Sequence, residues 1–361
     1  MRQKRWTNAR TGILVAILLA LTSLSRAQFQ GGQGGRGINP RNVPQAEQPT
    51  VVATPTEPPP LETDLVLLTV SVTPPESKSW PPLTRDNFQV FEDGVEQKIV
   101  YYWEDSRPIS VGFLIDDSDY MSVNHKMDDL RDALPTFLKS KKAEDEYFVV
   151  QFATGPRMTV SYTTDAKLAP TNFRTLDEIA DALAPDTALY DAIYLGLEAI
   201  KESANPRKAL LVITAGGDKG CDGSKINQTM KPDQLLSFAI KQPVQIYSMM
   251  ITDDWTTSNG GSPCEQQPKD ASNLGDLASA TGGKDYLASN AQGGVDAIAT
   301  EVARALKTQF LIGYKSTNTA KDGKRRGVKV KVNPPEGSPK LKVWTKAAYY
   351  APKEKAAKTT N

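Results

Sequence analysis

Two kinds of hydrophobic pattern divide the chain. Leu65-Val66-Leu67-Leu68-Thr69-Val70-Ser71-Val72, Phe88–Phe91 and Lys98–Tyr102 are rich in β-branched and aromatic residues and partly alternate with polar ones. That signals strands with one buried face. Glu92-Asp93-Gly94, between the last two, reads as a hairpin turn. From residue 109 the pattern changes. Val111–Ile115, Tyr147–Phe152, Ala209–Thr214 and Val244–Ile251 are nearly unbroken apolar runs, as expected of strands covered on both faces. Between them apolar residues fall at helical spacing: Met127, Leu130, Leu134, Phe137 and Leu138, then Leu189, Ile193, Leu197 and Ile200. Pro135 predicts a kink or an early end in the first of these helices. Pro232 opens a helix through Leu235, Leu236 and Ala239, at a position where proline is tolerated. Asn273–Ala280 and Val295–Lys307 predict two more helices, and Thr159–Tyr162 and Lys284–Leu287 two short strands.

Such strand–helix alternation predicts an α/β fold with a doubly wound, mostly parallel sheet. After Phe310–Tyr314, period two returns in Val328–Val332 and Leu341–Trp344. Strands on both sides of the α/β body suggest that it is inserted into a small β-sandwich-like module, although two separate hairpins would read the same way.

The ends of the chain add targeting and linkage. Arg2, Lys4, Arg5 and Arg10 precede an apolar run from Ile13 to Leu21, and Ser25-Arg26-Ala27 offers small residues for cleavage. This is the plan of a secretory signal peptide, and the run is short for a membrane span. Residues 28–60, rich in Gly, Pro and Gln, lack hydrophobic periodicity and read as a flexible spacer. The expected segmentation is a signal peptide over 1–27, the spacer over 28–60, a β-rich segment over 61–106 and the α/β domain over 107–314. Strands over 315–352 then return to pack with 61–106, and a disordered Lys/Ala tail covers 353–361. The mature protein is expected in the periplasm or outside the cell, with no transmembrane segment.

Charge and cysteines refine this picture. Residues 61–314 carry a net −14, whereas residues 315–361 carry +10. The acidic body and basic C-terminal segment can pack together, or the tail can meet an anionic envelope surface. No nucleic-acid-binding module is recognisable. The two cysteines, Cys221 and Cys264, lie in polar loops after successive strands. In an oxidising compartment they are expected to form a disulfide, the alternative being two free thiols.

The candidate chemistry sits where Val111–Ile115 ends, in Asp116-Asp117-Ser118-Asp119-Tyr120. Ligand sites of open α/β sheets lie beyond the carboxyl ends of the strands. This stretch resembles the Asp-x-Ser-x-Ser metal-site motif of von Willebrand factor A domains. Thr187-Ala188-Leu189-Tyr190-Asp191 resembles the segment that supplies the site's threonine, and Leu210–Asp218 resembles the strand that ends in Thr-Asp-Gly. The flanking strands, with Leu83–Gly94, Phe310–Tyr314 and Val328–Val332, are similar to exported bacterial von Willebrand factor A-related proteins. The resemblance implies a Rossmann-like fold and a divalent cation that bridges the site to a partner's carboxylate.

Carried over residue by residue, Asp116, Ser118 and Thr187 are present, whereas Tyr120 and Ala215 replace the second serine and the second carboxylate. Asp119 and Asp218 are the available substitutes. Ca²⁺ tolerates an irregular oxygen cage better than Mg²⁺, but the expectation is no cofactor. Asp116 would then cap local backbone and Thr187 would bond loop backbone. The expected partner-binding rim comprises Asp117, Asp119, Asp218 and Trp255, an aromatic that equally suits packing on the sheet edge. His125 is the only histidine. No nucleophile elbow or P-loop occurs, and the glycine run from Gly31 to Gly35 is spacer composition with no strand before it. These features point to an exported, non-enzymatic protein–protein interaction or adhesion protein. The alternatives are a metal-dependent adhesin with a rebuilt ion site, a structural envelope component, and a hydrolase using His125.

Overall fold

In the computed structural model, β5 (Ile109–Asp116) lies inside a six-stranded sheet of order β10-β9-β8-β5-β6-β7. The other members are β6 (Glu146–Phe152), β7 (Pro156–Thr163), β8 (Arg207–Thr214), β9 (Gln245–Ile251) and β10 (Asp285–Ala288). All neighbours are parallel except β7, which runs antiparallel to β6 at the edge. The structure describes residues 65–74, 81–118, 121, 126–138, 142–165, 187–215, 229–251, 267–288 and 294–353. The expected signal peptide, the spacer and the tail beyond Lys353 lie outside them.

Alternation along the strands divides the core in two. Phe113, Ile115, Tyr147, Val149, Leu211 and Ile213 face α1 (Lys126–Leu138) and α5 (Gly294–Lys307). Leu114, Phe148, Val150, Leu210 and Val212 face α2 (Leu189–Ala199), α3 (Pro232–Ala239) and α4 (Gln267–Thr281). Helices on both faces explain why these strands read as continuous apolar runs. Gly112 has a packing reason, because a Cβ there would lie 2.4 Å from the Phe148 ring and 2.6 Å from Leu210. Pro135 falls in the last turn of α1, which ends at Leu138.

The flanking strands form two antiparallel four-stranded sheets. One has the order β13-β1-β11-β4, from Lys342–Trp344, Leu65–Thr73, Gln309–Lys315 and Ile99–Glu104. The other has the order β14-β12-β2-β3, from Ala348–Tyr350, Arg325–Val332, Phe88–Glu92 and Val95–Gln97. Leu68, Val70, Phe310 and Ile312 of the first sheet and Phe88 and Val90 of the second share one core. This is a sandwich, into which the α/β layer is inserted between β4 and β11.

Two details differ from the sequence reading. The Asp93-Gly94 turn, with φ of 46° and 84°, joins β2 to the short β3, while Ile99–Glu104 crosses to the other sheet. Positive φ at both central residues matches the twist of a two-residue hairpin. Phe310–Tyr314, expected inside the 107–314 α/β domain, belongs to the sandwich. Its Phe310, Ile312 and Tyr314 enter the sandwich core, while Gln309 turns to the α/β layer. With both faces covered, β11 imitates a parallel strand.

Gln309 is the polar joint between the two parts. Its Nε2 donates to Ser71 Oγ at 3.2 Å and to Gln245 Oε1 at 2.5 Å. Its Oε1 accepts from Arg207 Nε at 3.1 Å and Nη2 at 2.9 Å. Buried polar groups of this kind hold register only while all are satisfied. Gln309→Leu would remove two of the hydrogen bonds of the buried Arg207 guanidinium and leave Gln245 and Ser71 without this partner, and is expected to lower stability by roughly 2–3 kcal/mol in urea unfolding. A loss under roughly 0.5 kcal/mol would contradict the joint.

A second tie is Glu301 of α5, which accepts from Lys284 at 3.0 Å and from Lys342 of β13 at 3.1 Å. Burial alone would raise its carboxyl, but the two ammoniums outweigh burial and hold it below its ordinary value. A lowered carboxyl stabilises the fold above its ordinary pKa, and that contribution fades as pH falls through the folded value. Glu301→Gln should therefore cost about 0.5–1 kcal/mol at neutral pH, with the difference from the parent closing as pH falls through the lowered carboxyl value. A difference independent of pH would show that the ion pairs contribute nothing.

Candidate functional site

The strand order creates a switch point. From β5 the chain moves outward to β6, then returns to β8 on the opposite side of β5. The segments that follow β5 and β8 lead to helices on opposite faces, and the crevice between such strand ends is the usual ligand position. Asp116, the last residue of β5, sits there fully buried.

Its carboxylate is tied to the neighbouring strand. Oδ2 accepts from Thr214 Oγ1 at 2.6 Å and from the Ala215 N–H at 3.2 Å. Oδ1 accepts from the Ser118 N–H at 2.9 Å, an aspartate turn that sets the direction of the loop. The Met121 N–H then donates to Ser118 O at 2.9 Å, and Met121 is fully buried. Burial pushes the Asp116 carboxyl above its ordinary value, against the opposing pull of Ser118, Thr214 and Ala215.

Thr187 is also buried, just before α2. The next N–H, of Ala188, donates to Ala153 O at 2.6 Å, while the Asp117 N–H donates to Phe152 O at 2.8 Å. Both segments are thereby gathered at the end of β6. Asp116, Ser118, Thr187 and Ala215 thus lie at one edge of the sheet.

Asp117 does not present the open rim carboxylate expected of it. Its Oδ2 accepts from Gln151 Nε2 at 3.0 Å and from Arg157 Nη2 at 3.5 Å, and its side chain is only 10% exposed. The neighbouring strands supply both partners, so the charge is used internally. Asp119, Tyr120, His125, Asp218, Cys221, Trp255 and Cys264 lie outside the described residues. Thr214, Gln151 and Arg157 escaped the sequence reading. A polar residue inside a buried run, such as Gln151 or Thr214, was the available signal.

A carboxylate offers about four lone-pair positions, and three on Asp116 are filled by protein donors. Ala215 brings no oxygen-bearing side chain where the second carboxylate would stand. Among the described residues no three His, Cys, Asp or Glu side chains cluster as a metal site. Ser118 Oγ is buried without a partner at hydrogen-bonding geometry. Among the described residues the buried oxygen-bearing side chains at this edge include those of Asp116, Ser118, Thr187 and Thr214.

Residues 111–218 match the family of the von Willebrand factor type A domain. These residues form a von Willebrand factor A-type domain. No curated protein sequence matches it. Solved structures similar to it include an aerotolerance-related membrane protein from Bacteroides fragilis, at 13% identity and a TM-score of 0.41, covering 55% of this chain and 98% of that one. Conserved hypothetical protein BatB from Bacteroides thetaiotaomicron is 15% identical, with a TM-score of 0.40 and coverage of 55% and 100%. The vWF domain of the type V pili tip protein Mfa5 from Porphyromonas gingivalis is 9% identical, with a TM-score of 0.39 and coverage of 56% and 96%. The family assignment rests on the sequence match rather than on these superpositions.

Within this von Willebrand factor A-type domain, the Thr214 hydroxyl donates to Asp116 Oδ2 at 2.6 Å. Thr214→Val preserves shape and removes the donor, and it should cost about 1–3 kcal/mol in denaturant unfolding. Thr214→Ser should retain most of that stability. Equal losses in the two variants would contradict the assigned hydrogen bond.

Proposed function

We propose that the chain is an exported, non-enzymatic interaction protein that grips a protein partner with the loops at the carboxyl edge of its parallel sheet, without a divalent cation. The supporting observation is Asp116, whose carboxylate is satisfied by Ser118, Thr214 and Ala215 instead of standing open to an ion. Recognition then falls to loop surface held on rigid strands. Thr154 and Gly155, which follow β6, are exposed at this edge. Asp119, Asp218 and Trp255 are the expected contacts from the adjoining loops, and an aromatic anchor such as Trp255 is typical of binding hot spots.

The basic and apolar N-terminal stretch supports export to the periplasm or beyond. Among the described residues no helix is long and apolar enough to cross a membrane. The metal-dependent alternative has one observation in its favour, the unpartnered Ser118 hydroxyl beside Asp116.

Capture from envelope extract on the immobilised full chain tests the reading. The same partner should be retained in excess chelator and in added Ca²⁺ or Mg²⁺. Thr154→Trp or Trp255→Ala should reduce capture by about tenfold or more. A partner retained only with added cation, or capture indifferent to both substitutions, would overturn it.

A further inference from the structure

At the opposite end of the parallel strands, a crevice of about 620 Å³ opens between the sandwich and the α/β layer. Leu67 of β1 and Leu311 of β11 form one wall, and Ile240 and Val244, ahead of β9, line the other. That volume suits a small ligand, and such pockets favour junctions between modules.

The charge of the lining is one-sided. Asp105 is its only carboxylate, and Arg107 engages both oxygens at 2.9 and 2.7 Å. Arg207 is held by Gln309 and by the carbonyls of Arg107 and Leu306. Lys208 Nζ donates to the carbonyls of Ile200, Lys201 and Ser203 at 2.8, 3.0 and 3.2 Å. These partners position Arg207 and Lys208 without neutralising them.

Lys346 differs from all three. Among the described residues its ammonium makes no hydrogen bond or ion pair, and the Tyr349 ring centroid is 6.0 Å away. Burial lowers its ammonium from the ordinary value, and no carboxylate acts in the other direction. A desolvated cation without a counter-charge is unfavourable.

The position is nonetheless held firmly. Gly282, with φ of +88°, lets the end of α4 approach the chain so closely that an added Cβ would lie 2.7 Å from the Lys346 backbone nitrogen. The Ala347 N–H donates to Ser279 O at 3.1 Å. The segment carrying Lys346 is therefore clamped to the crevice wall.

We propose that this crevice binds a small organic anion, a carboxylate on a compact apolar body, with Lys346 as its counter-charge. The leucine and valine walls receive the body. A lone ammonium acts as a point charge and suits a monoanion, whereas phosphate is better met by an arginine fork or several donors. The site is remote from the Asp116 rim and stands or falls separately from it.

The test is titration of the full, methyl-labelled chain with octanoate and phenylacetate, followed by NMR, with octanol and inorganic phosphate as controls. Saturable binding of at least one carboxylate is expected, about tenfold or more tighter than either control. Contacts from its chain protons to the Leu67 and Leu311 methyls should locate it without any substitution. Lys346→Met, checked for folding by circular dichroism, should weaken binding by about tenfold or more, and Lys346→Arg should retain part of it. No saturable carboxylate binding at millimolar concentration would overturn the proposal. So would octanol binding as tightly as octanoate, contacts confined to another surface, or unchanged affinity in Lys346→Met.

Discussion

The bond between Asp116 and the end of β8 is the constraint on which the sheet's carboxyl edge depends. The fold separates the segments following β5 and β8 towards opposite faces and leaves a crevice between them. Asp116 fills it, joining Thr214 and Ala215 across the strands and Ser118 along the chain. A buried carboxylate is tolerated only when its oxygens are satisfied, and here the protein satisfies three positions itself. Loss of the second carboxylate, with Ala215 in its place, removes like-charge repulsion from the same small space. Asp116 thus braces the ends of β5 and β8 from within the sheet.

The other end of the strands is secured differently. There Arg207 at the start of β8 and Gln245 at the start of β9 meet Gln309 of the sandwich, with Ser71 completing the set. Glu301 adds a bridge from α5 to Lys342 of β13. These contacts make the sandwich a mount for the α/β layer. The junction also leaves the inter-module crevice with its unneutralised Lys346.

Much of this architecture was legible in hydrophobic periodicity. Unbroken runs marked strands buried on both faces, and alternation with polar residues marked the sandwich, because burial writes itself into sequence in those two ways. Misreadings arose where tertiary packing altered the local signal. The α/β boundary expected at residue 314 took in Phe310–Tyr314, which belongs to the sandwich and has its other face covered by the α/β layer. The turn at Asp93-Gly94 was correctly placed, but its partner strand, Val95–Gln97, is too short to show periodicity. At the rim, the residue types of Asp116, Ser118, Thr187 and Ala215 were readable, whereas the engagement of Asp117 by Gln151 and Arg157 depends on strands that come together only in the fold.

The account stands most directly on whether Asp116 has any capacity left for an ion. Calorimetric titration of the purified full chain with Ca²⁺ and with Mg²⁺ measures this. Braced by Thr214, Ala215 and Ser118, the site should show no saturable binding below about 1 mM for either cation. Sub-millimolar binding that disappears in Asp116→Ala would contradict the account and establish the rim as a working cation site.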